Sequence, residues 1–183
     1  DLMKLVTGPD FPTGALICGK DGIKKAYRTG RGTIKMHARA HIEQKKQGKE
    51  SMVITEIPYQ VNKTRLITAM ASLVKNKKVD GITDIRDESD RDGMRIVVDI
   101  RKGASSEIVM NQLYKHTQMK ETFGIIMLAI VEGQPRVLNL KEILEEFIKH
   151  RKEVIIRRTQ YDLAKAENRA HILEGLKIAL KNL

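Results

Sequence analysis

Bases, histidines and tyrosines are the side chains of this chain whose types and spacing suit chemistry. The densest group is "RGTIKMHARAHIE", residues 31–43. Lys35, His37, Arg39 and His41 recur on one parity, and Ile34, Met36, Ala38, Ala40 and Ile42 on the other. A period of two is that of a half-buried strand, whose successive side chains point to opposite faces. One face goes to a core while the other carries a row of cations. Residues 20–49 hold ten bases against two acids, Asp21 and Glu43, so eight of the eleven net positive charges lie there. Such a cluster points to a polyanionic partner. The plainer reading is a solvated strand edge, where lysine discourages aggregation. The candidate phosphate-contacting residues are Arg28, Arg31, Lys35, His37, Arg39, His41, Lys45 and Lys46. The glycines of "TGRG" would also let main-chain N–H groups approach a phosphate, though they lack the spacing of a phosphate-loop motif.

Other chemistry is sparse. His37, His41, His116, His150 and His171 have no second ligand at metal spacing, and the carboxylates are scattered. No GxSxG, HExxH or Walker pattern occurs. Tyr27, beside Arg28, is the one tyrosine in a basic setting, and packing explains it as well as it explains Tyr59, Tyr114 and Tyr161. No catalytic residue and no metal site is therefore assigned. A lone cysteine, Cys18, excludes an internal disulfide and points to a reducing, cytosolic setting. The longest apolar run, residues 124–131, is far short of the roughly 20 residues that span a bilayer, so no membrane association is expected. The start has neither an initiator methionine nor a signal-peptide pattern and reads as that of an excised piece.

These bases need elements to position them. "DGIKKAYRTG" reads as a short helix capped by Asp21 and ended by a left-handed Gly30. After the basic strand, "QKKQGKE" reads as a hairpin loop and "SMVITEI" as the returning strand. Asn62 caps a helix with Leu66, Ile67, Met70, Leu73 and Val74 on its buried face. A second hairpin crosses "SDRDG", with Met94, Ile96, Val98 and Ile100 inward. Ser105 or Ser106 caps the next helix, and "TFGIIMLAIV" reads as one strand. From Asn139 onward there is no proline and one glycine, Gly175. Asn139 with Glu142 is a capping-box pattern. Phe147, Val154, Tyr161, Ile172 and Leu176 form an apolar stripe, and Glu145–Lys149 and Glu153–Arg157 are spaced as ion pairs. A helix of this length, roughly 65 Å, needs a partner helix. The fold class is α+β, a mixed or antiparallel sheet with packed helices over residues 1–138, followed by a long coiled-coil helix over 139–183.

Five stretches carry a resemblance: "GPDFPTG" (8–14), "GIKKAYRTGRG" (22–32), "EIPYQVNKTRLI" (56–67), "RDESDRDGMRIV" (86–97) and "RAHILEGLKIAL" (169–180). In order and across the whole chain, they resemble the A subunits of the bacterial type IIA topoisomerases, of the DNA gyrase kind. The A subunit of topoisomerase IV shares the architecture and is the near alternative. The resemblance implies an isomerase that passes one DNA duplex through a transient break in another. ATP and magnesium act through the B subunit, so no cofactor is expected in this chain. It implies as partners double-stranded DNA, a second A subunit and the gyrase B subunit. In that family the nucleophilic tyrosine follows an arginine and precedes a threonine. Tyr27 instead precedes Arg28, and no tyrosine here matches. By the resemblance, residues 1–138 would be the tower domain that supports the gate duplex, and 139–183 the first helix toward the lower dimer gate. A chain without the tyrosine would neither cleave nor relax DNA alone. Two further readings use the same residues: a structural strut with a merely solvated basic face, or an RNA-binding module. The last has the charge but no aromatic platform on the basic strand.

Overall fold

The computed structural model describes residues 1–45 and 48–182. Two compact units divide the chain, one Asp1–Met127 and the other from Leu128 onward. In chain order the first contains α1 (Leu2–Leu5), β1 (Leu16–Cys18), α2 (Asp21–Thr29), β2 (Arg31–His37), β3 (Arg39–Lys45) and β4 (Lys49–Glu56). It continues through α3 (Lys63–Lys75), β5 (Ile82–Asp87), β6 (Ile96–Ile100), α4 (Ser106–His116) and β7 (Lys120–Ile126).

The alternating stretch is two strands rather than one. β2 is the centre of an antiparallel three-stranded sheet, between β1 and β7. β3 leaves for an antiparallel four-stranded sheet of order β3-β4-β6-β5. The switch is at Ala38, which is fully buried. Its N–H donates to the Met119 carbonyl at 2.7 Å, and its own carbonyl accepts from the Tyr114 hydroxyl at 2.7 Å. The inward parity survives the break because each half finds its own core. Ile34 and Met36 are buried on β2, and Ala38, Ala40 and Ile42 join the larger core.

α2 lies close against β2, and glycine permits it. A Cβ on Gly22 would collide with the Thr33 carbonyl, and one on Gly32 with the Gly22 carbonyl and the Ala26 side chain. The glycine of "GRG" therefore admits a helix, not a ligand. Gly30 takes the left-handed C-cap, at φ 75°. Asp21 occupies the first turn instead of the cap, which falls to Lys20.

The larger core lies between the four-stranded sheet and two helices. Met52, Ile54, Ile96, Val98 and Ile100 meet Leu66 and Met70 of α3 and Val109 and Leu113 of α4. Burying this set contributes roughly 1.5–3 kcal/mol per large side chain before chain entropy is counted. Val53 and Val97 are buried on the opposite side, so the two central strands are covered on both faces. Asn62 caps α3 by accepting from the Arg65 N–H at 3.0 Å. Ser105, not Ser106, caps α4.

The strand expected across 122–131 ends at Ile126; the Met127 N–H donates to the Gly30 carbonyl at 2.8 Å. The second unit starts with a hairpin of β8 (Leu128–Val131) and β9 (Gln134–Val137). Its two-residue turn has Glu132 at φ 52° and Gly133 at φ 79°, both positive as a type I′ turn requires. β9 is unforeseen because Pro135 interrupts it, yet an edge strand tolerates proline.

α5 (Leu140–Lys181) is a single unbroken helix of 42 residues, roughly 63 Å long. Its capping box is complete: Asn139 accepts from the Glu142 N–H at 2.9 Å, and Glu142 from the Asn139 N–H at 2.8 Å. Phe147, Tyr161, Ile172 and Leu176 are exposed, as a stripe awaiting a partner helix would be. The two expected ion pairs do not form. Glu145 meets Lys141 at 3.4 Å, and Lys149 reaches back to Glu132 in the hairpin turn at 3.1 Å.

Candidate nucleic-acid interface

The candidate bases fall on three surfaces. The first is the outer face of the three-stranded sheet. Its inner face carries Ile34 and Met36, so Arg31, Thr33 and Lys35 project outward and are exposed. The β2–β7 register sets Lys120 opposite His37, Thr122 opposite Lys35 and Gly124 opposite Thr33. Among the described residues, no acid lies within salt-bridge distance of Arg31, Lys35 or Lys120. Small neutral neighbours leave these cations open to solvent.

His37 sits at the end of that row and differs from it. Its ring stacks on Tyr114, with centroids 5.2 Å apart and planes at 30°. Burial pushes its pKa below the ordinary imidazole value, and the charges of Lys120 and Lys35 add to this. The neutral imidazole is favoured, which makes His37 a hydrogen-bonding group rather than a fixed cation.

Arg28 is exposed, but on α2, the layer packed against the opposite face of the sheet. It does not share the surface of Lys35.

The third surface is the helix-free face of the four-stranded sheet. Arg39 meets Glu56 at 3.3 Å, and the same carboxylate accepts from the Ala15 N–H at 2.5 Å. His41 meets Glu43 at 3.2 Å, and Lys45 meets Asp99 at 2.6 Å. Behind them Arg95 holds Glu43 and Glu88, while Arg86 holds Asp84, Glu88 and Asp99. The Arg95 hydrogen bond holds the Glu43 carboxyl at about 2. Burial would raise the Asp99 carboxyl, but hydrogen bonds from Arg86, Lys45 and Ser51 outweigh it and lower the pKa. Lys45, Asp99, Arg86, Glu88, Arg95 and Glu43 form one linked network of ion pairs, beside the separate Arg39–Glu56 pair. Lys46 lies outside the described residues.

The local charge excess read along the chain is thus partly neutralised in space. Glu56 and Asp99 come from distant segments, which a count over residues 20–49 cannot see. Lys120 is the converse case. It joins the row from β7, and no local pattern marks it.

Tyr27 is buried between α2 and its sheet. Burial raises its phenol pKa, and Asp10 raises it further. A raised pKa and a covered hydroxyl are the reverse of what a nucleophile needs. Tyr59 packs with Phe11 and Phe123, at centroid distances of 5.4 and 5.8 Å. Among the described residues, no group of three or more His, Cys, Asp or Glu is placed to hold a metal. No described helix is long and apolar enough to cross a membrane.

The family model describing the A subunit of "DNA gyrase/topoisomerase IV" matches residues 1–183. This chain belongs to the DNA gyrase/topoisomerase IV A-subunit family. It is 59% identical over 183 residues to the DNA gyrase A subunit of Clostridium acetobutylicum. Against the DNA gyrase A subunits of Pseudomonas aeruginosa and Staphylococcus aureus it is 54% and 53% identical. In each case all of this chain is covered, but only 20 to 22% of the relative. The gyrase-like stretches acquire physical roles in the fold. "GIKKAYRTGRG" is the glycine-mediated seam of α2 on β2. "RDESDRDGMRIV" supplies Arg86, Glu88 and Arg95, the hubs of the ion-pair lattice. "EIPYQVNKTRLI" supplies the Asn62 cap and the buried Leu66.

Proposed function

We propose that this chain is the part of a gyrase A subunit that supports the gate duplex during ATP-dependent negative supercoiling by double-strand passage. Residues 1–138 act as the tower and 139–183 as the start of the coiled coil toward the lower gate. The duplex backbone runs along the outer face of the three-stranded sheet. One observation carries this: Arg31, Lys35 and Lys120 share an open face with no acid beside them among the described residues. Alternate strand residues lie about 6.6 Å apart, a spacing on the scale of successive phosphates. Contacts of this kind position DNA without reading its sequence, which suits an enzyme that bends many sequences. The whole enzyme would work in the cytoplasm with a second A subunit and with the B subunit, which brings ATP and magnesium. The A subunit of topoisomerase IV is the nearest alternative assignment. Alone, the chain neither cleaves nor relaxes DNA.

For the other sheet the strut reading is the better supported. Arg39 and Lys45 spend their charge on Glu56 and Asp99, and the His41 ring is engaged by Glu43, which favours stiffness over ligand contact. The decisive experiment places Arg31→Glu with Lys35→Glu in a whole A subunit carrying this segment and measures supercoiling with ATP and the B subunit. Loss of gate-duplex binding and of supercoiling is expected. Wild-type activity would sink the assignment of this face.

A further inference from the structure

At the end of the cationic row the surface is concave. A cleft of about 560 Å³ lies between β2, β7 and α4, lined by His37, Asn111, Tyr114, Lys115, Lys120, Glu121 and Thr122. We infer that this cleft is a separate phosphate site, which takes one backbone phosphate of duplex DNA between Lys115 and Lys120 with the His37 imidazole as a further donor. This rests on the reading of the β2 face as DNA-bearing and adds a fixed point to it.

Three features carry the inference. The donors come from three elements, so the cleft is built by the fold and not by one run of sequence. Asn111 offers an amide, Thr122 a hydroxyl, and the two lysines full charge, a set suited to an oxyanion. The Tyr114 hydroxyl is committed to the Ala38 carbonyl, so its ring is a fixed wall on which the His37 ring is stacked. The groups that face His37 are Lys35 on its own strand, Lys120 and Glu121 on β7, Tyr114 and Lys115 on α4, and Leu16 across the β1 register. The Glu121 carboxylate is already engaged: it accepts from the Gln118 amide at 3.2 Å and from the Thr122 N–H at 3.0 Å.

Phosphate binding here is linked to protons. With the cleft empty, burial and two lysines lower the His37 pKa and favour the neutral imidazole. An arriving phosphate offsets the lysine charges, so the imidazole takes one proton from solvent and donates to the phosphate oxygen. DNA binding therefore takes up a proton and tightens as pH falls through the imidazole range.

The test follows the His37 ring by NMR through a pH titration of this chain, with and without a short mixed-sequence duplex. A salt series by fluorescence anisotropy accompanies it. The expected result is an upward shift of the His37 pKa on saturation with DNA. Lys115→Gln or Lys120→Gln should each reduce the slope of log K against log salt by about 0.9. In the free chain, Lys120→Gln should also raise the His37 pKa, a check that the variant has altered the cleft as intended. An unmoved His37 titration, with wild-type slopes in both lysine variants, would overturn the site. If Arg31→Glu and Lys35→Glu still weaken binding in that case, the β2 face stands without the cleft. A duplex that does not bind, or binds without salt dependence, defeats both.

Discussion

Arg95 grips Glu43 with two guanidinium nitrogens, at 3.0 and 2.7 Å, across the helix-free face of the four-stranded sheet. The two lie 52 positions apart. This pair ties the first hairpin to the second, and its energy depends on pH. The Glu43 carboxyl is drawn from 4.5 to about 2, first by the Arg95 hydrogen bond. The Asp87 carboxyl is drawn from 3.8 to about 2, first by Lys63 at 2.7 Å. Both folded-state values lie below the unfolded ones. The stability they contribute is present above the ordinary carboxylate range and is lost as pH falls toward 2. We expect acid unfolding in that window. Arg95→Met should move the midpoint to higher pH, as followed by circular dichroism. An unchanged midpoint would mean the pair contributes nothing.

The two halves of the basic stretch should respond oppositely to charge reversal. Arg31→Glu with Lys35→Glu disturbs no described partner, so stability should stay within about 0.5 kcal/mol. DNA affinity should drop, with the salt slope reduced by about 1.8 for two phosphates. Arg39→Glu instead sets a carboxylate opposite Glu56 and should cost about 1 kcal/mol, with little effect on the salt slope. Melting temperatures and anisotropy titrations on both variants check this.

For the wild-type chain, three open cations on the β2 face predict a salt slope near −2.7, by about 0.9 per phosphate. Counting every base of the stretch along the chain would give a steeper value. A slope near zero would leave the face merely solvated.

Gly22→Ala should destabilise the first unit by about 1–3 kcal/mol or more, because the added methyl meets a main-chain carbonyl that has nowhere to go. Gly124→Ala, a glycine with nothing within 4 Å of the added Cβ, is the control and should be mild. Equal melting temperatures for the two would disprove the close seam.

Asn139→Ala should cost about 1 kcal/mol at the start of α5. Hydrogen exchange at the first turn is the direct measurement. Protection there equal to wild type would show that the capping box is dispensable.

Periodicity made much of this fold legible. The inward residues Ile34, Met36, Ala38, Ile96, Val98 and Ile100 follow from a period of two. The Asn62 and Asn139 caps follow from side-chain chemistry. What escaped was long-range. Nothing local says that Ala38 is where one sheet ends, because alternation runs through it unbroken. The switch is set by Met119 and Tyr114, far along the chain. The same limit governs the candidate site. Arg31 and Lys35 are outward by parity alone, but the neutralisation of Arg39 and Lys45 needs Glu56 and Asp99. Lys120 needs the β7 register.

Ala38 has a mechanical meaning as well. Both of its main-chain polar groups are held, one by the loop before β7 and the other by α4. A joint pinned on both sides has little slack to absorb a load. Tension on β2 would pass through one peptide into α4 and the larger core, as through a rivet. Removing the Tyr114 hydroxyl, by Tyr114→Phe, takes out one of the two pins while keeping the ring that supports His37. The junction between the two sheets would then be held, at Ala38, by the Met119 hydrogen bond alone.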